Sequence, residues 1–141
     1  VIMNATDTTR SWKDFITKDN KIALVAPSSA SGNMIPRLLL SEAGFHQLEG
    51  NIDVYYAGTH LQVFNDVKSG KAKIGGCGCF TVQQELISNP GKVVTVLDYN
   101  NIPLGPILIK KSLSQNIRKS TYQNLLKAHT EAPAAFNKFR E

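Results

Sequence analysis

Short apolar runs alternate along this chain with longer stretches whose apolar positions recur every three or four residues. The runs predict strands: Val1-Ile2-Met3, Lys21-Ile22-Ala23-Leu24-Val25, Ile52-Asp53-Val54-Tyr55-Tyr56, Ala72-Lys73-Ile74-Gly75-Gly76, the β-branched Val93-Val94-Thr95-Val96-Leu97, and Ile107-Leu108-Ile109-Lys110. The stretches between them predict helices. Ser11 caps a short one that places Trp12 and Phe15 on one face. Ser31 to Ala43 forms the next and ends at Gly44. Thr59 to Ser69 carries an apolar stripe of Val63, Phe64 and Val67 and stops at Gly70. Thr81 is positioned to cap a helix bearing Val82, Leu86 and Ile87, which ends near Asn89-Pro90-Gly91. Ser114 opens a helix through Leu125 and Leu126, and Pro133 precedes a last short one. Repeated alternation of this kind predicts an α/β fold with a largely parallel sheet and helices on both faces.

In such a sheet, ligands gather where strands end at their carboxyl side. Three strand-to-helix turns carry polar donors there: Ser28, Ser29, Ser31 and Gly32; Thr59 and His60; and Thr81. If their strands are neighbours, the three turns meet. The serine turn is the most informative. Helix starts present free N–H groups and the positive end of a dipole, and hydroxyls add donors, so a serine-rich start suits an oxyanion. A single cap explains one serine, not three. His60 reads as either an anion donor or a capping residue, and Thr81 reads first as a cap. Tyr55 and Tyr56 alternate across a strand, so one is expected to be buried.

Composition narrows the classes without changing this picture. The 141 residues suit one folded domain with a workable core. The net charge of +5 is spread along the chain rather than gathered in a basic stripe, which argues against a nucleic-acid surface. No apolar run is long enough to span a bilayer, and Val1-Ile2-Met3-Asn4 is too short for the apolar part of a signal peptide. Any export signal is expected outside this chain. Cys77 and Cys79 flank one glycine; two ligands without two more make a poor zinc site, and a disulfide across one residue would be strained. Both are expected to be small buried or half-buried thiols. Neither a cofactor nor a metal is expected.

Read in order, several segments resemble the phosphonate/phosphite-type periplasmic substrate-binding proteins of ABC transporters, which have the type 2 periplasmic binding protein fold. The resemblance runs from about Ser11 to Leu126. Its parts are the lead-in Ser11 to Phe15; the signature Lys21 to Gly32, similar to the family's "FAFVDPSSTSG"; and the helix with Pro36, Leu39, Leu40 and Ala43-Gly44-Phe45. They continue with the turn Ala57-Gly58-Thr59-His60, the strand Gly70 to Gly76, and the return segment Ile102-Pro103-Leu104-Gly105-Pro106-Ile107. The resemblance implies a solute-binding component for a phosphorus oxyanion: phosphonate, phosphite or phosphate. It implies that Ser28, Ser29, Ser31 and Gly32 donate to the oxygens, that Thr59 and His60 reach the same anion, and that Thr81 adds a hydroxyl. It also implies a membrane permease as partner and a periplasmic or cell-surface location.

Departures from the pattern shape the expectation further. Ala30 stands where the family usually has a hydroxyl. Cys77-Gly78-Cys79-Phe80-Thr81 carries no acid to receive a ligand ammonium, which disfavours aminoalkylphosphonates and favours an oxyanion with a small or uncharged tail. Residues 1–100 are expected to form the ligand-binding lobe. Residues 101–141 are expected to supply a return strand and C-terminal helices of a first lobe whose opening portion is not in this chain. The exposed lobe surface then offers a face for homodimerisation. The alternative function is a ligand-sensing domain of the same fold fused to a signalling protein. A hydrolase ranks last: His60 is the sole candidate base near the serines, no carboxylate in the turns orients it, and no Walker lysine follows them.

Overall fold

A computed structural model describes residues 1–7, 11–46, 48, 52–102 and 106–140, with the side chains of 137–140 left aside. It divides into two compact units, Val1–Ile102 and Pro103–Glu141. The first holds a five-stranded sheet made of β1 (Ile2–Asn4), β2 (Lys21–Leu24), β3 (Asp53–Tyr56), β4 (Ile74–Gly75) and β5 (Val93–Thr95), in the order β3-β2-β4-β1-β5. β2 runs parallel to β3 and β4, while β1 is antiparallel to β4 and β5. Four strands therefore share one direction and β1 alone opposes them. The predicted strand at Val93 to Leu97 is shorter than expected: the ladder with β1 ends at Thr95, and beyond it Val96 N and Leu97 O bond only the single residue Val1.

Alternation along the strands sends side chains to two cores, one on each face. Ala23 and Val25 point with Ile2 and Val93 toward α2 (His60–Lys68) and α3 (Cys79–Ser88). Ile22 and Leu24 point with Met3 and Ile74 toward α1 (Ile35–Glu42), where Leu40, Phe15 and Ile16 complete the packing. Val63, Phe64 and Val67 are fully buried on α2. Burial of side chains of this size contributes about 1.5–3 kcal/mol each. Trp12 stacks at a tilt on Phe45, so the short helical turn Trp12–Phe15, capped by Ser11 as expected, belongs to the second core.

Adjacent glycines let both helices come close to β4. A Cβ on Gly75 would lie 2.7 Å from Val67 Cγ2 and 2.8 Å from Val63 Cγ1 on α2. One on Gly76 would lie 2.7 Å from both Leu24 Cδ2 and Pro36 Cγ of α1. Both values are well inside ordinary carbon–carbon contact. α2 is also fixed at its far end. Buried Asn4 donates to the carbonyls of Val67 (3.1 Å) and Lys68 (2.9 Å), satisfying two helix-end acceptors from β1. Asp66, likewise buried, accepts from Tyr55 Oη (2.5 Å), Gln62 Nε2 (2.8 Å) and Lys71 Nζ (2.9 Å). Burial pushes its carboxyl up, but these donors outweigh it and hold the pKa below the usual carboxylate range. Tyr55 is thus the inward tyrosine and Tyr56 is exposed.

The second unit contains α4 (Gln115–Glu131), capped by the Ser114 hydroxyl, and α5 (Pro133–Arg140). The expected return strand at Ile107 to Lys110 is absent. Among the described residues this unit has no second strand to receive its ladder bonds, and apolar β-branched composition alone does not make a strand.

Candidate functional site

β3, β2 and β4 are neighbours and parallel, so the three polar turns leave the same edge of the sheet. The ladder extends into the turns: Ala57 N donates to Leu24 O (2.7 Å), Gly58 N to Val25 O (2.8 Å), and Gly76 N to Ala23 O (2.9 Å). Gly58 adopts a φ of +90°, which lets the chain fold back at once into the Thr59 cap.

After β2 the chain does not enter an α-helix directly. A π-helical turn, Ala30–Met34, precedes α1, so the expected single helix from Ser31 is really two segments. The Ser29 hydroxyl caps this turn by accepting from Gly32 N (3.0 Å), and Met34 N closes the first π bond onto Ser29 O (3.0 Å). This geometry leaves the amides of Ala30, Ser31 and Asn33 without an acceptor inside the helix. Gly32 is required by space: its Cβ would lie 2.3 Å from Val25 Cγ2. Buried Asn33 donates to Pro27 O (2.8 Å) and accepts from Arg37 Nε (2.8 Å), which pins the loop before the serines.

At the second turn, Thr59 Oγ1 caps α2 by accepting from Gln62 N (3.1 Å). His60 is half-buried at the first position of that helix. The third turn reaches it twice. Gly78 N donates to His60 Nδ1 (2.9 Å), and the Cys77 thiol donates to His60 O (3.3 Å). Gly78 also touches the serine turn: a Cβ there would lie 3.4 Å from His60 Cε1 and 3.5 Å from Ser31 Oγ. Ser31 Oγ and the His60 ring therefore border the same space beside Gly78.

Thr81 does not cap α3. Its N-cap is Gly78, three residues earlier, which has no side chain to offer a capping bond and whose amide donates to His60, so the helix starts at Cys79. Thr81 sits in the first turn instead, half-buried. The thiols also part company. Cys77 is buried and Cys79 is exposed, since the strand ends before them and the helix turns Cys79 outward.

Burial lowers the His60 pKa and pushes the Cys77 thiol up to about 12. Both groups are neutral near pH 7. Residues 26–32, 57–60 and 76–81 contain no Asp, Glu, Lys or Arg. Among the described residues, the hydroxyls of Ser28, Ser31 and Thr81 and Nε2 of His60 have no hydrogen-bond partner. Ser28 is exposed, and no bond ties it or Thr81 to the Ser31–His60 pair. Three helix starts thus bring uncharged donors to one edge, an arrangement suited to holding an anion without a countercharged side chain. Gly78, Asn33 and Arg37 were not singled out in the sequence; only the glycine between two cysteines offered a visible hint.

Residues 1–139 match the family model described as "ABC transporter, phosphonate, periplasmic substrate-binding protein". The match agrees with the segments that carried the resemblance and with the α/β architecture. Members of this family bind small molecules for a membrane permease. The chain belongs to the family of periplasmic substrate-binding proteins of phosphonate ABC transporters.

Proposed function

We propose that this chain binds a tetrahedral phosphorus oxyanion at the edge formed by Ser28, Ser29, Ser31, Gly32, Thr59, His60 and Thr81, and presents it to a membrane permease from the periplasm or cell surface. The observation that carries this reading is the shared space beside Gly78 that Ser31 Oγ and the His60 ring border, with partner-free donors on both sides. Ser29 and Thr59 act as helix caps whose hydroxyl hydrogens stay available to a ligand, since each oxygen accepts rather than donates in its cap. The first unit serves as the ligand-binding lobe. The absence of acids in the third turn favours phosphite, phosphate or a simple alkylphosphonate over an aminoalkylphosphonate.

Binding is favoured over catalysis by the state of His60. Its Nδ1 already accepts a main-chain hydrogen, so Nε2 carries the ring proton and has no lone pair to take one from a serine. Calorimetric titration with phosphate, phosphite, methylphosphonate and aminoethylphosphonate tests the proposal, with Ser31→Ala as comparison. Heat is expected with the first three, weaker or none with the fourth, and a loss in the variant. Equal heats for all four ligands, unchanged in Ser31→Ala, would overturn it.

A further inference from the structure

We propose that the Gly78 main chain locks His60 as the Nε2–H tautomer, and that the site therefore takes a phosphonate or phosphite guest as the fully deprotonated dianion. This inference rests on the binding reading above and specifies the ionic form of the ligand. A backbone amide can only donate. With Gly78 N 2.9 Å from Nδ1, that nitrogen must accept, and a neutral ring keeps its single hydrogen on Nε2. An imidazolium would set two hydrogens against each other across this contact.

The remaining surroundings agree. From the β4–α3 connection, His60 meets Gly78 and the Cys77 thiol, which stays protonated and donates to the His60 carbonyl. From the serine turn, Ser31 Oγ borders the same space beside Gly78. The first turn of its own helix carries no acid. The nearest acids along α2 and α3 are engaged elsewhere: Asp66 by Tyr55, Gln62 and Lys71, and Glu85 by Asn89. No neighbouring group thus favours the charged ring, and burial acts against it as well.

The groups assigned to the guest that cannot rotate are then all donors: the π-turn amides and the His60 Nε2–H. Only rotatable hydroxyls can turn to accept. A ligand oxygen that keeps its proton meets hydrogen against hydrogen at the fixed positions, whereas a phosphonate or phosphite dianion satisfies all of them and a phosphate dianion must turn its one hydroxyl to a serine or threonine oxygen.

Two readouts on the whole chain test this. The first is calorimetric affinity for methylphosphonate across its second ionisation. The expected affinity rises close to tenfold per pH unit below that ionisation and levels above it, because only the dianion fraction is competent. In His60→Gln, whose amide can turn to accept, the dependence is expected to fall to threefold per unit or less. The second is the ring-nitrogen NMR spectrum of His60, expected to show the Nε2–H tautomer with and without ligand. Affinity flat with pH, or highest for the monoanion, would overturn the dianion claim alone. An Nδ1–H or doubly protonated ring would overturn the lock. Absence of heat at every pH would remove the binding reading and the dianion claim together, while the spectrum of the free protein still decides the lock.

Discussion

Replacing Gly32 with alanine tests whether the serine turn is held by the close approach of its backbone to β2. The new Cβ would stand 2.3 Å from Val25 Cγ2, 2.6 Å from Val25 Cβ and 2.9 Å from Ser29 Oγ. Val25 is buried and β-branched, and rotation about χ1 cannot move its Cβ. The turn itself must shift. That shift strains the Val25 N to Gly32 O bond (2.9 Å) and the Ser29 cap. Overpacking costs about 1–3 kcal/mol. A weakened cap and one lost hydrogen bond add about 1 kcal/mol each. The lower unfolded-state entropy of alanine offsets about 0.4–1 kcal/mol. The expected net loss is ~3 kcal/mol, read as a fall in the urea midpoint with an unchanged slope. Gly78→Ala is the control. Its Cβ meets nothing closer than 3.4 Å, and the backbone there (φ −66°) suits any residue. Stability should stay within ~0.5 kcal/mol of the parent, while methylphosphonate binding weakens because the methyl enters the space between Ser31 and His60. A Gly32→Ala variant as stable as the parent would show that this close approach does not hold the turn.

Asp66→Asn should cost about 2 kcal/mol, from the weakening of bonds to a buried carboxylate. Because the folded carboxyl titrates below its unfolded value, its contribution is present above the unfolded pKa and lost as pH falls through the folded one, so the variant's acid denaturation curve should be shallower over that window. Asn33→Ala should destabilise by about 1–3 kcal/mol in urea unfolding, since the Pro27 carbonyl loses its donor, and should weaken anion binding through the loosened serine loop. Titration with a chromogenic disulfide near pH 8 should label Cys79 at once and Cys77 only after denaturation, because one thiol is exposed and the other is buried with a pKa of about 12. Two equally fast thiols in the native protein would contradict the burial of Cys77.

Local pattern made much of the first unit legible. The Lys21 to Val25 run, the Val63, Phe64 and Val67 stripe, the Ser11 cap and the helix start at Ser114 each express a short-range rule, and the structure follows them. The meeting of the three turns was readable once β2, β3 and β4 were taken as neighbours. Contacts between distant residues were not readable. The Gly78 amide could not be known to bond His60, so the helix start was placed at Thr81 rather than Cys79. The π turn at Ala30 depends on the close approach of Gly32 to Val25, which no periodicity records. Ile107 to Lys110 shows the opposite error: strand-like composition promised a ladder that the described residues of its unit do not provide.

The most direct test of the central claim is a backbone-amide NMR titration of the whole chain with methylphosphonate. Ala30, Ser31, His60, Gly78 and Cys79 should shift together along one binding curve. Shifts confined to residues outside the three turns, or separate curves for the serine and histidine turns, would contradict it.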